Sequence, residues 1–247
     1  MKLHFLGTSG YHPTRQRDTA CLMIPELGVI LDAGSGIFRA RELIETKELH
    51  IFLTHVHLDH VVGLTFLIDV LHEQSVDHVW VYCDPEKQAV IEHHLYHPLL
   101  FPVPPRFVFR ELTSSPISLP GDGRLTAFPI THPGGCLGFR LQWPDHDMAY
   151  VTDTTAALSS DYVKQIRDVD LLVHECYFPD GYEEQAALTG HSCLTPVAQV
   201  AAAAKAKRLA LVHLNPLDED GSQMDLKSVD KIFSPILVPC DDEIIEF

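Results

Sequence analysis

Three histidines and one aspartate fall within six residues: His55, His57, Asp59 and His60. Imidazole nitrogens and carboxylate oxygens are the donors that hold zinc and similar divalent cations. The spacing sorts these donors into two pairs. His55 and His57 leave an extended turn in the same direction, whereas Asp59 and His60 sit where the chain turns into a helix. One short segment can therefore feed two adjacent cations. The competing explanation is a chance cluster in a chain with 16 histidines. Chance supplies isolated pairs readily; a packed run between a β-type and a helical pattern is much harder to reach that way.

The elements around this cluster are legible from periodicity. A β-type apolar run starting at Leu49 precedes it, and Val61–Leu71 after it is apolar enough for a buried helix. Upstream, Met1–Leu6 alternates as a strand and runs into Gly7-Thr8-Ser9-Gly10, a turn that allows close backbone approach. Ala20–Ile24 and Val29–Leu31 read as paired strands around the Pro25–Gly28 turn. Asp32-Ala33-Gly34-Ser35-Gly36 follows, before a helix over Ile37–Glu45. Asp32 either holds the histidine loop from beneath by hydrogen bonds or caps that helix. Val79–Tyr82 is a strand, and Asp84 with Pro85 opens a helix over Pro85–Tyr96. On it His93 and His97 share a face, but no third donor is in register, so they belong on the surface or a pocket rim. His12 sits in the polar segment Tyr11–Asp18 and is placed in solvent. Phe101–Phe107 is too rich in proline for regular helix.

Further donors stand at strand ends in the second half. Arg124–Ile130 delivers His132, which Pro133-Gly134-Gly135 exposes at a turn. Cys136–Leu141 and Met148–Val151 pair around Pro144–Asp147 and lead to Asp153, whose two oxygens can each take one cation; the alternative is a turn cap. Val169–Val173 leads into His174-Glu175-Cys176. His191 precedes a helix from Thr195 to Lys205, which it would merely cap if it has no chemical role. Leu209–Val212 ends in His213. An acidic turn over Leu217–Asp220, a short helix at Met224–Phe233 and a closing strand pair, Ile236–Val238 with Ile244–Phe247, complete the chain. No linker or low-complexity break divides residues 1–247, which predicts one domain.

His55-x-His57-x-Asp59-His60 resembles the signature of the metallo-β-lactamase-fold hydrolases. Phe5-Leu6-Gly7-Thr8-Ser9, Pro13-Thr14-x-x-Arg17 and Asp32-Ala33-Gly34-Ser35-Gly36 resemble the ribonuclease Z branch, although Ser35 stands where that branch carries glutamate. His174-Glu175-Cys176 and His191-Ser192-Cys193 resemble its His-Glu-Ala-Thr and His-Ser-Thr motifs, with cysteines as departures. The resemblance implies an α/β fold, a four-layer αββα sandwich of two mixed β-sheets flanked by helices. It implies two divalent cations, zinc first with manganese or iron as alternatives. His55, His57 and His132 would hold one and Asp59, His60 and His213 the other, with Asp153 shared. Glu175 would orient His191 as proton donor to a leaving oxygen, and Asp59 would steady the attacking hydroxide. Nothing between Val61 and Thr131 resembles the long basic arm with which transfer-RNA-maturing members grip RNA.

Composition narrows the partners. With 18 basic and 34 acidic side chains the formal net charge is −16, which disfavours stable binding to nucleic acid or an anionic membrane. Six cysteines form no Cys-x-x-Cys pair, and no leader pattern or membrane-length apolar run occurs, so reduced thiols in the cytoplasm are expected. The expected activity is a dinuclear phosphodiesterase acting on a small or cyclic phosphodiester or short nucleotide. The alternatives are a thioester or lactone hydrolase of the same fold, a transfer-RNA 3′-processing endonuclease, a non-catalytic metal sensor and a di-iron redox protein. A homodimer is one assembly compatible with this reading.

Overall fold

The computed structural model describes residues 1–113, 115–218 and 223–247. Strands form where β-branched and large apolar residues run without a turn residue: β1 (Lys2–Gly7), β2 (Cys21–Ile24), β3 (Val29–Leu31), β4 (Glu48–Phe52), β5 (His78–Cys83), β6 (Val108–Glu111) and β7 (Ile117–Leu119). They continue as β8 (Gly123–Ile130), β9 (Cys136–Gln142), β10 (Asp147–Val151), β11 (Leu171–Glu175), β12 (Leu209–Val212), β13 (Ile236–Leu237) and β14 (Ile244–Glu246). The α-helices are α1 (Leu58–Val61), α2 (Leu67–Val70), α3 (Pro85–Val90), α4 (Tyr162–Gln165), α5 (Glu183–Thr189), α6 (Leu194–Ala204) and α7 (Leu226–Val229).

The residues gather in two compact units. One comprises Met1–Thr8, Arg17–Thr113 and Cys240–Glu246; the other comprises Ser9–Gln16, Ser114–Pro239 and Phe247. The first holds a seven-stranded sheet of order β14-β1-β2-β3-β4-β5-β6. Pairing is antiparallel from β14 to β3 and parallel from β3 to β6. The turn between β2 and β3 is a short 3-10 segment, Pro25–Leu27, closed by Gly28 at φ 63°, a conformation glycine adopts without a side-chain clash. One face of this sheet, through Met23, Ile30, Ile51 and Val81, packs on Ile37, Ala40, Leu64, Leu67, Val70 and Ile91.

The other unit repeats the plan with order β13-β12-β11-β10-β9-β8-β7. Here β13 to β10 pair in parallel and β10 to β7 antiparallel. Its helical cover is chiefly α6, whose alanines are strong helix formers and small enough for close approach. Val197, Ala198, Val200 and Ala201 bury against Ala149, Val151, Leu172 and Leu211.

Four expectations are corrected. The single helix over Val61–Leu71 is broken into α1, a 3-10 segment at Val62–Phe66 and α2. Gly63 N donates at 2.8 Å to Ala33 O instead of up its own helix. A Cβ at Gly63 would lie 2.2 Å from Gly34 O, so the glycine marks a close crossing. The segment after Gly34 is likewise a 3-10 helix, Ser35–Glu42. Finally, the closing strands do not pair with each other. Ile236–Leu237 joins β12 in parallel, while β14 joins β1 antiparallel. Between them Asp241 is tied to the Thr8 and Asp18 amides at 3.0 and 2.6 Å, which delivers β14 to the β1 edge. The helix expected at Met224–Phe233 shortens to α7. Of the acidic turn expected over Leu217–Asp220, Glu219 and Asp220 lie outside the described residues.

Candidate metal centre

In the first unit β4 ends at Phe52, and the donor loop starts three residues later. Asp32, just past β3, supports that loop from a left-handed backbone, φ 58°. Its fully buried carboxylate accepts the Thr54 amide at 2.8 Å, the Thr54 hydroxyl at 2.9 Å and His60 Nδ1 at 2.9 Å. The same hydroxyl lies 3.0 Å from His55 Nδ1. Because Thr54 spends its proton on Asp32, its oxygen accepts the Nδ1 proton of His55. Asp32 thereby fixes both imidazoles with Nδ1 protonated and the Nε2 lone pair presented outward. His60 Nε2 stands 3.5 Å from Asp59 Oδ2. The His55 ring centroid is 4.5 Å from that of His57 and 4.2 Å from that of His60. The following 3-10 segment has Gly34 at its start and no side-chain cap, so Asp32 supports the loop and is not a cap.

In the second unit the donors come from separate strand ends. His132 lies two residues past β8, Asp153 two past β10, Glu175 closes β11 and His213 follows β12. Asp153 divides its oxygens: Oδ2 is 3.6 Å from His132 Nε2, and Oδ1 is 3.3 Å from His213 Nε2. His132 Nδ1 donates at 3.0 Å to the Gly190 carbonyl, again leaving Nε2 outward. A Cβ at Gly190 would lie 2.8 Å from that same Nδ1, so only glycine lets the backbone approach the ring. Asp153 and His213 hold left-handed φ values of 35° and 55°, costing roughly 1–3 kcal/mol each, which the surrounding strands must hold in place.

Glu175 is wholly buried and accepts four hydrogen bonds. Oε1 takes Thr154 N at 2.9 Å and His191 Nδ1 at 3.1 Å; Oε2 takes Tyr177 N at 3.1 Å and Ser192 N at 3.3 Å. His191 therefore turns its Nε2 edge away from Glu175. It does not cap α6. That role goes to Asp180, which accepts Thr195 N at 2.8 Å and Thr195 Oγ1 at 2.6 Å. Donor atoms of Glu175, His191 and His213 lie within 4.8 Å of one another.

A model of the β-lactamase superfamily domain matches residues 29–214. The chain belongs to the β-lactamase superfamily. Ribonuclease Z of Halorubrum lacusprofundi is 26% identical, with 100% of this chain and 97% of that enzyme covered. A metallo-β-lactamase fold protein of Bacillus subtilis superposes with a TM-score of 0.80 at 18% identity, covering 99% of this chain and 98% of that one. The short form of human tRNase Z gives 0.77 at 20% identity, covering 100% and 99%. This superfamily member is a hydrolase, and its two mixed seven-stranded sheets with their helices are the architecture of that fold.

The donor set of this superfamily member suits divalent cations. In the first unit the buried imidazoles of His55 and His60 have their Nδ1 protons engaged and Nε2 available, with His60 near the Asp59 carboxylate; in the second the same holds for His132 near Asp153. Among the described residues, His93, His94 and His97 join no such donor group and are exposed, as expected for a surface. His12 is exposed too. His174 is buried for another purpose. Its Nδ1 donates to Glu175 O at 2.7 Å and its Nε2 accepts from the Tyr162 hydroxyl at 3.0 Å, while burial pushes the imidazole pKa down. Thr54 in the first unit, and Tyr177, Asp180 and Gly190 in the second, support these residues without having stood out in the sequence. Only Gly190 had a local signal, a glycine closing a helix at φ 78° before a histidine.

Proposed function

We propose that the two units work as one domain that binds two divalent cations and hydrolyses small phosphodiesters or short nucleotides. His55, His57 and His132 would hold one cation, Asp59, His60 and His213 the other, and Asp153 would be shared. The observation that carries this reading is the division of Asp153 between His132 and His213, one oxygen facing each. When bound, such cations would supply a water nucleophile near neutral pH and positive charge for a phosphate oxygen. Zinc is the first choice for a set of imidazoles and carboxylates, with manganese and iron next.

The chain's own residues supply the rest. Asp59 can accept a hydrogen bond from the attacking oxygen and hold it in line. His191, fixed through Nδ1 by Glu175, donates its Nε2 proton to the leaving oxygen as the phosphorus–oxygen bond breaks. A phosphodiester with an alkoxide leaving group needs that proton; a thioester does not.

Ribonuclease Z relatives support a nucleotide-type substrate. The alignment to the Halorubrum enzyme runs over 305 positions against 247 residues here, so that relative carries segments this chain lacks. Together with the charge of −16 this favours a small diester over a folded RNA. All six cysteines are free and five are buried, which suits a reducing cytoplasm. No helix among the described residues is long and apolar enough to cross a membrane. The test is purified, metal-analysed protein assayed on bis-p-nitrophenyl phosphate and on a thioester. Diester turnover with about two cations per chain is expected. Thioester turnover alone, or less than one cation per chain after replete expression, overturns the reading.

A further inference from the structure

Resting on the phosphodiesterase reading, we propose that Tyr177 is a positioning residue that sets the plane of the His191 imidazole for proton delivery to the leaving group. The Tyr177 ring stacks on His191 with centroids 4.7 Å apart and planes 18° from parallel. It also lies 5.9 Å from the His213 ring, and His191 and His213 are 5.3 Å apart, so the three rings form a closed triangle. The same residue's amide donates to Glu175 Oε2 at 3.1 Å. Tyr177 thus holds both members of the Glu175–His191 pair, one through its backbone and the other through its ring.

A hydrogen bond at Nδ1 fixes where the ring is hinged but leaves rotation about that bond soft. A stacked aromatic face removes this freedom, because tilting the imidazole forfeits contact over the whole ring. Tyr177 in turn is backed by the chain. A Cβ added at Gly10 would lie 3.0 Å from Tyr177 Cε2 and 2.6 Å from His213 Cε1. Gly10 is itself held by its amide to Leu214 O at 2.9 Å. On another side the Phe178 ring meets Tyr177 edge-on at 4.9 Å. The half-buried Tyr177 is therefore wedged, and its wedge bears on the proton donor.

Two readouts on the full chain as purified test this. The first is the ring-proton shifts and line widths of His191, assigned with His191→Gln, in wild type, Tyr177→Phe and Tyr177→Leu. Stacking should move the wild-type and Phe signals upfield; Leu, which fills the volume without a flat face, should lose the shift and broaden the line. The second is the ratio of rates on thymidylyl-thymidine, whose leaving group is an alkoxide, and bis-p-nitrophenyl phosphate, whose leaving group needs no proton. Tyr177→Leu should lower that ratio by about 10- to 100-fold, and Tyr177→Phe should restore it to within a few fold. A His191 ring unchanged in Tyr177→Leu overturns the proposal. So does a freed ring with an unchanged ratio. Wild-type silence on both diesters overturns the phosphodiesterase reading instead, and the ring signals then decide alone whether Tyr177 holds His191.

Discussion

The two units reach similar chemistry by opposite routes. The first packs four donors into one loop after β4 and supports two of them, His55 and His60, from a single buried carboxylate, Asp32. The second draws its donors from the ends of β8, β10, β11 and β12, and two of its imidazoles have separate partners: Gly190 O for His132, Glu175 for His191. A local motif is compact and easily read, but it concentrates dependence on one residue. A dispersed set shares that dependence and leaves its integration to the sheet. In both units the donors follow strands that run parallel to a neighbour or end a hairpin, the usual place for ligand-binding loops in mixed sheets.

The largest effect should fall where the dispersed set meets itself. Asp153→Asn removes charge from a carboxylate that faces both His132 and His213. Diester turnover should drop by more than the ~10–100-fold expected for a supporting residue. Metal content by mass spectrometry should fall with it; full metal occupancy with normal turnover would erase the contrast between the units.

Next comes Asp32→Asn, which weakens the shared support of the compact set. Its carboxamide cannot accept as strongly from both Thr54 and His60, so chelator competition should show metal affinity falling by roughly 10–100-fold. An effect confined to folding, with affinity intact in the folded fraction, would show that the loop holds its own shape.

The smallest effect concerns pH. Burial penalises the charged form of His174 and holds its pKa below the ordinary histidine value of about 6.5. As pH falls below 6.5, the unfolded chain takes up a proton that the folded chain refuses, so stability declines until the lowered folded pKa is passed. His174→Phe should flatten this part of the acid limb in denaturant titrations between pH 5 and 7. An unchanged slope would assign the acid limb to other groups.

How much of this was legible depended on range. His55, His57, Asp59 and His60 stood out as candidates because the spacing of metal-donor side chains is local, and the capping of α3 by Asp84, at 2.9 Å to Lys87 N, follows from the same kind of short pattern. The strands delivering His132, Asp153 and His213 stood out by apolar runs. What escaped involves partners distant in sequence. Gly63 donating to Ala33 breaks a helix that its own apolar pattern favours. Asp180 caps α6 from fifteen residues away. Ile236–Leu237 and β14 look like a hairpin because both are short and apolar, yet their pairing is decided by which sheet edge each meets. Tyr177 carried no signal, since an aromatic after a strand is more often packing than positioning.

Both sheets finish in very short outer strands: three residues in β14, four in β6, two in β13 and three in β7. A foreign chain seeking to extend either sheet would find only a few open amides and carbonyls to zip onto. The loops that carry the donors can therefore stay accessible to substrate without the neighbouring backbone becoming a template for self-association.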